Sequence, residues 1–475
     1  MPTSALSRVS SALRARLIGV TLVGLAGCAA APPPAPPVAV PAVPLPAEWS
    51  APALVGEAVD LTSWWRAFGD SALDGLVERA LTGSPDIDAA AARVRSAQAM
   101  AQELTARLGP QVSLVGDPQQ TANGRSTYFQ AGLEARWDIP LSDRLTASRG
   151  VAEADKQLAL ADEQSTRATL VAEVARTYFE MRAAEREQHL LEQLAAVADE
   201  RERLTRVLLQ TKQVGADEVQ ASVLAAVQAR AAVLEPAGQA TLARTRLGVL
   251  LGDLQAPLPP PVPDADVPAR SPLGLTALPA DLVRQRPGIR RAEQTVLRAA
   301  HASGLARADA QPRISLAGLV GLSAAITGPA SGAAVRAILS AGPSFSMSLF
   351  DGGALAASQR ARDADFDVAT ALYRQAVLQG VAEAQSALLE LDRERQRAVA
   401  CARVEELVRQ RSMATDVQAR LGLATGFQRA DARGAAVQAR RETARAGLAE
   451  QVAYVALFTA FGGASLPVPT PVPAP

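Results

Sequence analysis

Few side chains in this 475-residue chain have the chemistry of a reactive site. There are two cysteines, Cys28 and Cys401, and two histidines, His189 and His301, all in separate stretches. Metal centres and nucleophilic sites need such residues clustered at short spacing. His189 falls in a charged helical stretch and His301 beside Ala-rich turns, so each is expected at the surface or in packing. Cys401, mid-helix, is expected as a small buried residue. Gly352-Gly353 lacks the context of a phosphate loop. The runs Asp199–Arg203 and Asp392–Arg397 read as solvated helix faces with pairs between neighbouring turns. No catalytic, metal or cofactor site is expected. The 48 basic residues balance 48 acidic ones, which offers nucleic acid no bulk attraction.

Cys28 has a different setting. Arg8, Arg14 and Arg16 precede the apolar run Leu17–Leu25, which is too short to span a membrane and ends in Leu25-Ala26-Gly27-Cys28. This resembles a bacterial lipoprotein signal: residues 1–27 are removed and the Cys28 thiol carries lipid, including palmitate. The alternative is an ordinary cleaved signal that contains a cysteine. Ala29 and Ala30 carry no acidic retention signal, which by the same resemblance implies outer-membrane sorting. Residues 28–60, rich in Pro and Ala, read as an extended tether. No later stretch offers 18 uninterrupted apolar residues, so no spanning helix is expected.

The elements that matter most begin at Tyr128–Ile139. Phe129, Ala131, Leu133, Ala135, Trp137 and Ile139 alternate strictly with Gln130, Gly132, Glu134, Arg136 and Asp138. One face is apolar, the other polar, and the length suits a tilted membrane strand. Gln111–Gly116 supplies a hairpin partner. Phe345, Met347 and Leu349 alternate in the same way with Ser344, Ser346 and Ser348. A long helix follows Tyr128–Ile139, and another follows Leu349. Between Leu145 and Gln213 there is no proline, and the only glycine is Gly150. A returning helix runs from about Asp217 to Leu251, with Pro236 as a kink. Trp64, Trp65 and Phe68 read as a packing anchor, and Ser84 as a cap before Pro85.

The second half repeats the first. Pro85, Ile87, Pro110, Ser113 and Leu114 recur as Pro287, Ile289, Pro312, Ser315 and Leu316, and Ala225–Arg230 recurs as Ala435–Arg440. The expected divisions are 61–256 for the first helix-strand-strand-helix repeat, 257–285 for a Pro-rich linker, 286–463 for the second repeat and 464–475 for a Pro-rich tail. Four amphipathic strands cannot close a barrel, and an open edge in lipid strands backbone polar groups. The fold expected is therefore an internally duplicated α+β membrane protein. Its four strands per chain complete a trimeric 12-stranded β-barrel, continued by a long α-helical coiled-coil barrel. Glu134 and Arg136 would face the lumen. An ordinary soluble sheet with one buried face has the same periodicity.

The chain resembles the TolC-like outer-membrane efflux proteins, in their lipoprotein (NodT-type) branch. The resemblance runs from Trp64 to Gly463 and is carried by Trp64-Trp65 with Phe68-Gly69-Asp70, by Arg286-Pro287 with Ile289 and Glu293, by Pro312–Leu316, by Leu349-Phe350-Asp351-Gly352-Gly353 and by Ala460-Phe461-Gly462-Gly463. The first strand-helix junction, Trp137–Asp143, departs from the family's Leu-Phe-Gly type of turn. The resemblance implies a passive duct for small molecules, delivered by an inner-membrane transporter and a periplasmic adaptor. It also implies a homotrimer in contact with membrane lipid. The same fold could serve type I protein secretion, and a periplasmic coiled-coil scaffold is a third reading. Counting back from the closing Gly-Gly, Asp431 falls where the family carries a pore-narrowing aspartate. Phe427 lies one turn earlier, and Asp217 is a weaker candidate in the first repeat. A solvated helix charge is the alternative for Asp431.

Overall fold

The computed structural model describes residues 40, 42–46, 57–58, 62–120, 127–140, 142–261, 273–274, 286–326 and 335–463. Residues 1–27, Cys28, most of the 257–285 linker and the 464–475 tail lie outside the described residues. All the described residues belong to one compact unit, which begins at Val40.

Two short strands, β1 (Glu57–Ala58) and β4 (Leu273–Gly274), pair in parallel. A 3-10 turn over Trp64–Phe68 leads into α1 (Ser71–Gly83) and α2 (Pro85–Arg107). The strands β2 (Gln111–Gln120) and β3 (Thr127–Ile139) form a hairpin, and α3 (Ser142–Gln210), α4 (Ala216–Ala231) and α5 (Leu234–Leu250) complete the first repeat. The second consists of α6 (Pro287–Asp309), β5 (Arg313–Ile326), β6 (Val335–Ser346), α7 (Ala354–Arg420) and α8 (Gly426–Ala460). The main sheet is antiparallel throughout, in the order β2-β3-β5-β6. At 69 residues α3 is about 100 Å long.

The duplication shows in the bounds of several elements. Pro85 and Pro287, which open α2 and α6, are 202 positions apart, as are Gln111 and Arg313, which open β2 and β5. The starts of α4 and α8, Ala216 and Gly426, are 210 apart, as are the ends of α5 and α8, Leu250 and Ala460. The ladder carries the same pair of offsets. Leu114 pairs with Leu133, and their equivalents Leu316 and Pro343 also pair. The difference between the two offsets lies in a longer second hairpin.

A belt of aromatic side chains holds the helices together. Trp64 stacks on Phe458 at 5.0 Å between ring centroids, and Phe68 packs on Phe179 at 4.9 Å and edge-on to Tyr454 at 6.2 Å. The packing role expected of the Trp64 cluster is what the fold shows. Val40, Val43 and Leu45, inside the Pro-rich stretch, pack against the α6–α7 cluster of Ile289, Val296, Tyr373 and Val377.

The returning helix is interrupted at Ala232–Val233, where φ and ψ stay right-handed helical; Ala232 lies four residues before Pro236, whose missing N–H cannot reach the Ala232 carbonyl, so the interruption sits where a Pro236 kink puts it. Several other expectations need correction. Ser84 occupies the cap position of α2 but makes no side-chain cap; Pro85 sets that turn. β2 runs on to Gln120. β6 ends at Ser346, so Met347 and Leu349 lie beyond it. His301 is in mid-α6 rather than beside a turn, and its ring lies so close to Gly150 that a Cβ there would come within 2.4 Å. Burial lowers the His301 pKa. Cys401 is half-buried, not buried.

Candidate functional site

Directly opposed residues of an antiparallel pair carry their side chains on one face. The register therefore sorts the sheet. Leu133 stands between Leu114 and Val320, and Val320 beside Leu339; Ile139 stands beside Ile314, and Ile314 beside Phe345. On the other face Glu134 stands between Ser113 and Leu319, and Ser315 between Asp138 and Ser344. The hydroxyls of Ser315 and Ser344 are 2.6 Å apart. Glu134 is half-buried and Arg136 exposed, both on this polar face, with Arg136 3.8 Å from Asp138. The apolar face is bare within one chain: Leu114 is 81% exposed and Leu339 80%. Among the described residues, β2 and β6 each have one unpaired edge.

The α3–α4 and α7–α8 turns form the opposite end of each repeat. Both close in the same way: Gln213 N–H donates to the Leu208 carbonyl and Leu423 N–H to the Gln418 carbonyl, each at 2.8 Å. The left-handed position is Lys212 in one and Gly422 in the other. Thr425 and Gln428 cap α8 reciprocally, at 3.2 and 2.8 Å.

Asp431 lies about 8 Å along α8 from its first residue, Gly426, and its carboxylate accepts a hydrogen bond from Arg201 of α3. Glu200 accepts from Arg429 at 2.6 Å, Arg433 reaches Asp416 at 3.2 Å, and Asp199 accepts from Arg230 of α4 at 2.7 Å. The run Asp199–Arg203 is therefore not a plain solvated face. Its first three residues tie α3 to both neighbouring helices. Phe427 is half-buried, and Asp217 is exposed in the first turn of α4. By the 210 offset Asp217 is the counterpart of Phe427, and Asp431 has Ala221 as its counterpart, so the two tips differ chemically. The pairing of Arg201 with Asp431 went unread in the sequence. A signal existed: they lie 11 and 9 residues from Lys212 and Gly422, hence level on antiparallel helices.

Several polar groups around the belt are consumed by one another. Asp70 caps α1 by accepting from Ala72 N–H at 2.9 Å. The Tyr178 hydroxyl donates to Asp70 at 2.7 Å, and Arg182 donates to Glu185 at 3.0 Å and to the Pro260 carbonyl at 2.6 Å. Burial, followed by the Asp70 contact, pushes Tyr178 up to about 12. At the β6–α7 junction Asp351 accepts from Leu355 N–H at 2.7 Å and Gly353 N–H at 2.9 Å, which hold its carboxyl below the usual range. Gly352 and Gly353 take φ of 63° and 87°, which a side chain would resist. The Asp-Gly-Gly piece thus starts a helix. Among the described residues no helix is long and apolar enough to cross a membrane, which does not bear on a barrel, and no acidic, His or Cys cluster could hold a metal.

Comparison with known proteins matches this geometry. The outer membrane efflux protein family profile aligns with residues 76–253 and 278–463. The pyoverdine export outer membrane protein OpmQ of Pseudomonas putida is 29% identical over 88% of this chain and 92% of its own length. Nodulation protein T of Rhizobium leguminosarum bv. trifolii is 25% identical over 78% of this chain and 80% of its own. The solved outer-membrane channel OprN superposes with a TM-score of 0.77 at 26% identity, covering 90% of this chain and 98% of OprN. A helix-rich chain with a small sheet, aligned along both repeats, belongs to the outer membrane efflux protein family: it is an outer-membrane efflux protein, from a family of ducts rather than enzymes.

Proposed function

We propose that three copies of this chain close a twelve-stranded barrel in the outer membrane, continued into the periplasm by a tube of their long helices. The sheet carries this reading. It has one bare apolar face, one polar face and two unpaired edges. In hydrocarbon such edges must pair, and only other copies can supply the strands. The polar face, with Glu134 and Arg136, lines water. The duct is passive, and takes small molecules from an inner-membrane transporter through a periplasmic adaptor; the name of OpmQ points to cargo of that size. Cys28 carries the lipid, residues 28–60 tether it, and 61–256 and 286–463 are the two repeats.

The helix tips form the gate. Asp431 supplies a ring of three carboxylates, Phe427 narrows it, and Asp217 adds charge from the other hairpin. Three close carboxylates repel, and the Arg201 contact relieves part of that repulsion.

A single-channel record on purified protein tests both parts. Steps of defined conductance are expected, and Asp431→Ala with Phe427→Ala should raise them and reduce cation preference while the trimer survives. Unchanged conductance and selectivity would return both residues to the solvated face. A stable monomer in mild detergent with full strand content would sink the duct itself. Cys28→Ser should abolish palmitate labelling.

A further inference from the structure

Each chain contains one complete joint between repeats: β3 against β5, and α3 against α6. A ring of copies, the reading proposed above and the one this inference rests on, needs a second joint, with β6 and α7 of one copy against β2 and α2 of the next. The duplication converts one joint into the other. Residues of β3 and α3 move forward 210 positions, and residues of β5 and α6 move back 202. We infer that β6 pairs with the next copy's β2 in the register that sets Ser348 opposite the partner's Ser113, and that Met347–Leu349 extend β6 at this joint.

The strands bear the conversion. Trp137 opposite Leu316 becomes Met347 opposite the partner's Leu114, and Ile139 opposite Ile314 becomes Leu349 opposite the partner's Val112. Apolar meets apolar, on the face that carries Leu133. Asp138 opposite Ser315 becomes Ser348 opposite the partner's Ser113, polar on polar. The last residues of β3 are in strand because β5 pairs with them after β2 has ended at Gln111. Within one chain Met347–Leu349 have no such neighbour, which accounts for alternation that continues past Ser346 and for a Leu349 that is 90% exposed.

Two backbone features agree. Each edge strand contains one mid-strand proline, Pro118 in β2 and Pro343 in β6. A proline cannot donate to a ladder. Leu133 opposite Val320 becomes Pro343 opposite the partner's Pro118, so both missing donors fall at one pair of positions. Gly132 lies so close to β5 that a Cβ would sit 2.5 Å from the Val320 carbonyl oxygen. Its counterpart is also glycine, Gly342, yet a Cβ there would meet nothing within 4 Å in this chain. Backbone of the next copy supplies the reason.

The helices add charge and shape. Arg290 donates to Gln164 at 2.7 Å. This contact becomes Arg374 facing the partner's Asp88, two exposed residues of opposite charge. Gly150 against His301 becomes Arg360 against the partner's Ala99, with the small residue on the other side. Asp162 paired with Arg291 becomes Leu372 and the partner's Ala89, which would cover a leucine 53% exposed in one chain.

Cysteine cross-linking of the purified full chain, carrying Cys401→Ser, tests the register. Opposed Cβ atoms lie about 4.5–5.5 Å apart and diagonal ones about 7–8 Å. Ser113→Cys with Ser348→Cys should yield covalent dimers and trimers on mild oxidation. The pair shifted by two residues, Ser113→Cys with Ser346→Cys, should yield several-fold less. Stronger linking by the shifted pair overturns the register, as does a trimer by light scattering that neither pair links. A monomer overturns the ring and the register together. As a second measurement, Arg374→Asp should lower the temperature at which the trimer dissociates, and adding Asp88→Arg should restore it; no recovery in the double variant overturns the helix part.

Discussion

The aromatic belt and the main sheet use apolar residues in opposite ways. In the belt one chain supplies both sides of each contact: Trp64 is 1% exposed between its own turn and Phe458. In the sheet one chain supplies only one side: Leu114 and Leu339 are as apolar as any belt residue and are left bare. The tips are intermediate, tied by ion pairs between helices of the same chain. The belt is therefore the part that a single chain can complete. The sheet is the part that a single chain leaves open. Substitutions should separate the two.

The largest effect is expected in the belt. Trp64→Ala removes a buried ring from a stack of aromatics and should cost about 3–5 kcal/mol, read from a denaturant titration of helix signal in detergent. An effect below 1 kcal/mol would mean that this turn is peripheral, and the contrast with the sheet would collapse. Next comes the sheet itself. Leu133→Arg puts a charge on the apolar face at mid-strand and should cost about 2–4 kcal/mol of insertion free energy, while Glu134→Gln on the other face should cost little. Insertion into vesicles measures both. Equal effects would mean a sheet with two wet faces.

A smaller effect should arise where α3 meets α6. Gly150→Val would place side-chain atoms on the His301 ring, and overpacking of this kind costs about 1–3 kcal/mol. Heat unfolding should show it, and Gly150→Val with His301→Ala should recover most of it. No recovery would indicate that the helix backbone, not the imidazole, sets the approach.

These contrasts also mark what the sequence could and could not tell. β3 was legible to within one residue because its alternation is local and unbroken. The belt was legible as a cluster, Trp64-Trp65 with Phe68, but its partners Phe179, Tyr454 and Phe458 come from helices far along the chain, and no spacing rule links them. β6 was read from its last residues alone. Val335–Ser340 carries the apolar, charged and small residues of a strand too, but the pattern includes Gly342 and Pro343, which sequence rules count as breakers. The α4–α5 interruption was legible from Pro236, because a proline removes the hydrogen bond to the carbonyl four residues back, here that of Ala232. At the tips the charged residues were visible, but charge alone does not say which helix faces which. That information is in the distance from each turn, so Arg201 and Asp431 needed both turns to be located first.

The smallest effect belongs to the polar groups of the belt. Tyr178 is buried, and its hydroxyl spans from α3 to the cap of α1 through Asp70. Tyr178→Phe keeps the ring and removes one hydrogen bond to a charged acceptor, so about 1–2 kcal/mol should be lost. Burial of the hydroxyl, and after it the same contact, sets a pH dependence. The folded pKa of Tyr178 is about 12, above its ordinary value of 10.0. A raised pKa means that the folded state holds the proton more firmly. The stabilisation is then fully present below pH 10 and falls as pH rises toward 12. Comparison of the wild type with Tyr178→Phe isolates this group from the other bases and phenols that titrate in the same window. The difference in stability between the two proteins should be constant up to about pH 9 and should shrink above pH 10. A difference that stays constant through pH 12 would show that the hydroxyl is neither desolvated nor held by Asp70, and that α1 is fixed to α3 by the apolar contacts alone.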